Sequence, residues 1–541
     1  MRADRTLVVL RGATGSALEA QSDERIEEDG SPGRSSPVGP TFPDADELGM
    51  GWLALRSRPL LLAAACGLVA LGVGYLLPTR PKDAVALVVA AAVIVAVLLR
   101  PVVGAVLLVA VVPATSGFAP GFPVSNVRIS EAVIGLVGVT LLATVRRTES
   151  VPWETLDWAL LAYGLAWAVC AVLAARQLHE HLTISDWGTA IGQLQFFLIY
   201  RGVRTAVRSS RERRLALVAL MIASLPVAAL AILQEMRLHA VQSFINHLTG
   251  GLTAGTAPTG AGTVARVTGP FINWAALAGY LLPIVLVVLA LAVSKADMRR
   301  ARWFATVGVA AALAMMLTLE QSAIVCALVG AFMLVRRYDR TGRATRLFLV
   351  VGAIVIVAAS PVLIGRLSHE LGASPGTGRI PWVPETLSFR WSIWTKQYFP
   401  AIWARPLTGY GTLYPTTISW AAPESQYISF LMEGGVVMVI FFGVLAWAML
   451  RRTVDAARGT DPQDHAIGYA LTICVVSMLV MNLTWPFLSN GGMPQVVWAL
   501  MALLLPARRP QGTSVGALWK WRGLETSGTR AAAPGTGGAG P

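Results

Sequence analysis

The chain has 541 residues, of which 55% are hydrophobic and only 14% charged. An ordinary soluble domain carries about 25% charged residues. That deficit, with repeated apolar runs near the roughly 20 residues a bilayer demands, excludes a soluble globular protein and indicates a polytopic helical membrane protein. The net charge of +14 does not point to nucleic acid, because the basic residues form short clusters between apolar runs, the pattern of topology signals.

In chain order, residues 1–55 come first. They hold acidic, Pro, Gly and Ser clusters (SDERIEEDGSPGRSSPVGP) and no apolar region before Leu60, so they read as a disordered cytoplasmic tail rather than a signal peptide. A transmembrane domain is expected over 56–507. Fourteen spans are predicted, roughly 59–77, 83–99, 101–117, 129–145, 155–174, 187–203, 214–234, 271–293, 303–319, 322–336, 346–365, 426–450, 466–483 and 493–507. Residues 508–541 read as a second disordered tail. Cys66, Cys170, Cys326 and Cys474 fall inside apolar runs with no metal-ligand or disulfide spacing, so they are expected to be small core residues.

The arginine clusters fix the expected orientation. They follow the fourth, sixth, eighth, tenth, twelfth and last spans, for example Arg146 and Arg147, Arg201 to Arg214, and Arg451 and Arg452. If all fourteen spans cross, every strong cluster lies on one side. The positive-inside rule makes that side the cytoplasm and places both termini there. Two long external loops remain, 236–270 and 366–425. The second is rich in tryptophan and tyrosine, including Trp391, Trp394, Tyr398 and Tyr414. Disordered segments are poor in aromatics, so this loop is expected to be ordered.

Three stretches converge on the external face. The first is RVTGPFINWAALAGYLLP (266–283). The second is SFRWSIWTKQYFPAIWARPLTGYG (388–411), with Phe389, Ile393, Tyr398 and Ile402 on one helical face, which would suit a helix lying along the membrane surface. The third is PESQYISFLMEGG (423–435), a polar opening to a long apolar helix. The order of Arg266, Gly269, Phe271 and Asn273, then Arg390 and Trp394, then Pro406, Gly409 and Gly411, then Tyr427, Glu433 and Gly435 resembles the O-antigen ligase and polysaccharide polymerase superfamily of bacterial envelope proteins. Gln234 in LAILQ shares in the resemblance, which covers residues 230–450. Two positions depart from it. Glu320-Gln321 stands where many members have Ser-Arg, and Glu424-Ser425 where ligases have His-Asn. The departures point to a polymerase-like or diverged member rather than a lipopolysaccharide ligase.

The resemblance implies transfer of a glycan from a polyprenyl-diphosphate carrier to an acceptor hydroxyl, at the outer face of a bacterial cytoplasmic membrane, alongside other polysaccharide-assembly proteins. Such a reaction needs guanidinium groups to hold the diphosphate and a base for the hydroxyl proton. Arg266 and Arg390 are the candidates for the first role and Glu424 for the second. Glu433, Asn273, Gln321, Tyr427 and Trp394 are candidate substrate contacts. No acidic pair of the metal-binding kind occurs in these loops, so neither metal nor cofactor is expected. Simpler readings stand beside these. Glu424 and Ser425 could only cap a helix, Glu433 could pair with an arginine, Arg390 could anchor to lipid phosphate, and the tryptophans could be interface anchors. A multi-pass transporter or flippase, and a non-catalytic scaffold, are the rival functions.

Overall fold

The computed structural model describes residues 81–119, 128–145, 151–251, 256–259, 262–294, 301–339, 385–419, 423–489 and 491–504, with a few isolated positions between 341 and 350. Both expected tails and the expected span 59–77 lie outside the described residues, as does almost all of 346–365 and the first part of the second external loop. The regular elements of the described part are helices and one short antiparallel hairpin.

The helices are α1 (Pro81–Leu99), α2 (Pro101–Thr115, with a π turn at Leu107–Val111), α3 (Ile129–Val145), α4 (Thr155–Leu178), α5 (Ile184–Gly192), α6 (Leu194–Ala206), α7 (Ser210–Glu235) and α8 (His239–Thr249). The hairpin β1 (Thr256–Thr259) and β2 (Gly262–Ala265) follows. Then come α9 (Trp274–Ser294), α10 (Ala301–Leu317), α11 (Gln321–Tyr338), α12 (residues 385–404, with a π turn at Trp394–Tyr398), α13 (Gln426–Ala457), α14 (Pro462–Met481) and α15 (Met493–Ala502). Seven of these, α1, α4, α7, α9, α11, α13 and α14, are long and apolar enough to cross a membrane, and α2, α3, α10 and α15 are shorter apolar helices. This is the architecture of a helical membrane protein.

Local chemistry sets many of the boundaries. Ser209 and Glu212 form a reciprocal capping box that opens α7, and Asp461 caps α14 ahead of Pro462, each satisfying N–H groups that a helix start leaves free. The single span expected over 187–203 is instead two helices. A second capping box, Thr183 with Asp186, starts α5 early, and the chain turns at Gln193 before α6. The exposed face of α5 carries Ile184, Trp187 and Ile191, an apolar stripe at helical spacing that suits the membrane surface. The loop 236–270, expected to be external, holds α8 and the hairpin among its described residues.

α9 is the centre of the bundle. Every residue from Ala275 to Val288 is buried, against α10, α11, α14 and α15. α1 is its opposite, with few buried residues and Val88, Val89 and Leu98 turned outward, as a lipid-facing surface requires.

The two ends of the bundle differ in chemistry. At one end Asp157 is fully buried between Arg201 and Arg204, with Nη1 of Arg204 2.5 Å from Oδ2. Arg204 also pairs with Glu154, which Arg452 of α13 approaches from the other side. Arg213 of α7 pairs with Asp464 of α14 and donates to Gln463. These charges tie α4, α6, α7, α13 and α14 together where water is scarce, and a buried charge persists only when paired. This is the end bearing the arginine clusters. The three stretches read from the sequence lie at the other.

Candidate functional site

The site is built around a break in α13. At Gly435 the backbone turns to φ 61°, ψ −156°, a conformation essentially closed to residues with a Cβ. Residues 405–411 fit into the break. Tyr410 N–H donates to the Met432 carbonyl (2.7 Å) and Gly411 N–H to that of Glu433 (2.8 Å). Beyond the break, Val436 N–H donates to the Pro406 carbonyl (2.8 Å). The strap thus replaces helix bonds lost at the interruption. Contact is close enough that a Cβ on Gly409 would lie 2.4 Å from the Met432 carbonyl oxygen. Pro406, Gly409, Gly411, Glu433 and Gly435, read from the sequence as separate motifs, are therefore one structure.

α12 covers the opening of α13. Ile393, Tyr398, Ala401 and Ile402 pack with Tyr410, Ile428 and Met432 in a small core of their own. The step from Ile393 to Tyr398 is five residues, which would rotate Tyr398 away in a regular α-helix. The π turn at Trp394–Tyr398 absorbs the extra residue and keeps both side chains on the buried face. Phe389, expected on that face, is exposed.

Arg390, on the first turns of α12, reaches the carboxylate of Glu424, with Nη2 3.4 Å from Oε2. Both side chains are mostly buried. Glu424 has φ +55°, a left-handed conformation that costs an ordinary residue about 1–2 kcal/mol. Its neighbours hold it there. Trp394 Nε1 donates to the Pro423 carbonyl at 2.6 Å, and Gln426 N–H donates to the Asn482 carbonyl at 2.9 Å. The Gln426 side chain in turn accepts from the backbone N–H groups of Leu488 and Ser489.

Deeper in, Tyr414 donates its hydroxyl to Oε1 of Glu433 at 2.7 Å. Oε2 is buried with no hydrogen-bond partner among the described residues. The arginine partner expected for Glu433 is therefore a tyrosine. Tyr398 is fully buried, and that burial, reinforced by the negative charges of Glu424 and Glu433, raises its pKa above the usual phenol value. Burial and the Glu433 carboxylate do the same for Tyr414. Both phenols stay protonated, and Tyr414 donates to Glu433.

The second part of the site surrounds Arg266. Its guanidinium lies 4.6 Å from the centre of the Trp274 ring, a cation–π geometry. Trp274 Nε1 donates to Oε2 of Glu320 at 3.1 Å, and Ser322 donates to Oε1 at 2.8 Å. Gln234 anchors the stretch, accepting from the N–H groups of Thr268 and Gly269. Trp274 also neighbours Trp485, with ring centres 6.4 Å apart. The turn at 482–489 therefore touches both parts, Trp274 through Trp485 and the start of α13 through Asn482, Leu488 and Ser489.

Among the other sequence-read candidates, Asn273 caps α9, its Oδ1 accepting from Ala276 N–H at 2.7 Å. Asn273→Ala should cost about 1 kcal/mol of stability, read as a lower unfolding midpoint in detergent. A fall in activity at unchanged stability would instead assign it to substrate. Tyr427 donates to the Leu479 carbonyl and stacks edge-on against Phe442, a packing role. Gln321 is exposed at the first position of α11, while its neighbour Glu320 turns toward Trp274. Glu320, Tyr414 and Gln426 were not among the sequence-read site residues. Glu320 and Gln426 are polar residues at helix starts, and Tyr414 is one aromatic among many in its loop.

Among the described residues, no group of three His, Cys, Asp or Glu side chains could hold a metal ion. No protein-family model matches the chain, and no curated protein matches it.

Proposed function

We propose that this protein joins lipid-diphosphate-linked saccharides to an acceptor glycan at the outer face of a bacterial cytoplasmic membrane, as a polymerase-like relative of the O-antigen ligases. In this reading the fourteen spans cross, both termini are cytoplasmic, and the arginine-rich end faces the cytoplasm. The observation that carries the reading is Glu424, held in a strained conformation against Arg390 at the end away from the arginine clusters. Strain maintained by surrounding bonds is characteristic of functional sites. Among the described residues Arg390 is held by one long contact, at 3.4 Å, so an incoming diphosphate can compete for its guanidinium. Arg266, mounted on Trp274, supplies a second cation. A carboxylate then takes the proton of the attacking hydroxyl, and Glu424 stands nearest to Arg390.

The test is polysaccharide chain length in cells lacking the protein. Wild type should restore long chains. Arg266→Ala at equal membrane level should leave lipid-linked short units accumulating at the outer face. Normal polymer in the absence of the protein would remove it from this role.

One observation favours a transporter instead. α13 is interrupted beside a carboxylate, as the substrate-binding helices of transporters often are. Under that reading the short units accumulate at the cytoplasmic face.

A further inference from the structure

Two carboxylates stand at the broken end of α13, and the structure treats them differently. The charge of Glu424 is engaged by Arg390. Oε2 of Glu424 therefore already has a charged partner. Glu433 is not engaged in this way. Its Oε1 is fixed by Tyr414, and its Oε2 is buried without a donor among the described residues.

The main chain around that oxygen is paired. The strap at 405–411 supplies donors for the carbonyls of Met432 and Glu433 and acceptors for the N–H groups of Val436 and Val437. Buried polar atoms in folded proteins are overwhelmingly paired, and a carboxylate oxygen is an acceptor of high demand. Tyr414 therefore holds one oxygen of Glu433, while the other stays an acceptor with no donor among the described residues.

We propose, on the glycan-transfer reading above, that Glu433 rather than Glu424 receives the proton of the acceptor hydroxyl. Tyr414 is its positioning residue. The hydroxyl oxygen attacks the anomeric carbon of the donor, and a new carbon–oxygen bond forms there. The bond from that carbon to the phosphate oxygen breaks, and its electron pair leaves with the polyprenyl diphosphate, held by Arg390. The hydroxyl proton passes to Oε2 of Glu433. Glu424 keeps Arg390 oriented until the diphosphate displaces it.

The test uses full-length protein in liposomes, with polyprenyl-diphosphate-linked saccharide extracted from cells lacking the protein. Glu433→Gln should slow transfer by about 100-fold or more, the usual contribution of a general base. Glu424→Gln should slow it far less. Tyr414→Phe should lower kcat about tenfold, the scale of one hydrogen bond to a charged group, with KM for the donor unchanged. A Glu433→Gln rate within a few-fold of wild type, with Glu424→Gln inactive, overturns the assignment. Should Glu433→Gln fail to reach the membrane, an unchanged kcat for Tyr414→Phe overturns it independently. A wild-type protein that transfers nothing refutes the glycan-transfer reading itself, which is a different result from either of these.

Discussion

Gly435→Ala should destabilise the protein by about 4 kcal/mol, combining the strain of a forbidden backbone conformation with overpacking against a rigid neighbour. A Cβ at this position would lie 2.3 Å from the carbonyl carbon of Leu407 and 2.5 Å from the carbonyl oxygen of Pro406. Neither can retreat, because Pro406 accepts from Val436 and Leu407 from Val437. The collision is between two backbones, so no side-chain rotation relieves it. Gly443, further along α13, is the control. A Cβ there meets nothing within 4 Å, so Gly443→Ala should be neutral or stabilising by up to about 1 kcal/mol, as expected for alanine in a helix interior. Unfolding midpoints of the two variants in detergent make the comparison. Equal midpoints would mean that α13 is continuous, and the strap at 405–411 would lose its meaning.

The second large effect belongs to Arg390. Arg390→Ala should reduce transfer by about 10²–10³-fold, the loss typical of removing one donor to developing negative charge. Arg390→Lys should recover only part of it, because an ammonium cannot replace a planar guanidinium at a phosphate. A scaffold would tolerate both changes. Stability separates the roles further. The Arg390–Glu424 contact is long, at 3.4 Å, and about a fifth of the Arg390 side chain is exposed, so its loss should move the unfolding midpoint little.

Much of the helical framework was legible in the sequence because a membrane span announces itself by length. Twelve of the fourteen predicted runs coincide with described helices or parts of them; the other two lie outside the described residues. The run at 187–203 misled because α5 and α6 are both apolar. Only the small Thr183–Asp186 box, three residues apart, marks the start of a separate helix. The spacing of Ile393 and Tyr398 was read correctly as one face of a helix, but the π turn that makes five residues fit is a tertiary result.

The site was legible as motifs and not as contacts. Arg390, Glu424, Glu433, Gly409 and Gly435 were all singled out, yet the sequence could not show that two glycine-containing stretches some 25 residues apart share hydrogen bonds. Nor does any local pattern join Tyr414 to Glu433, or Trp485 to Trp274. At Glu320-Gln321 the choice between adjacent residues depended on which one turns inward at a tight corner, where Leu319 has φ +52°. Helical periodicity says nothing about such a corner.

The central claim is that this membrane protein transfers glycans from a lipid diphosphate, and the most direct measurement is in reconstituted liposomes. Purified protein would be given polyprenyl-diphosphate-linked saccharide, and both polymer length and released polyprenyl diphosphate would be followed. The account predicts that wild type lengthens the polymer and releases one carrier per bond formed, and that Arg390→Ala does both about 10²–10³-fold more slowly. Saccharide that remains lipid-linked in the presence of wild type, or an Arg390→Ala variant as active as wild type, would contradict it.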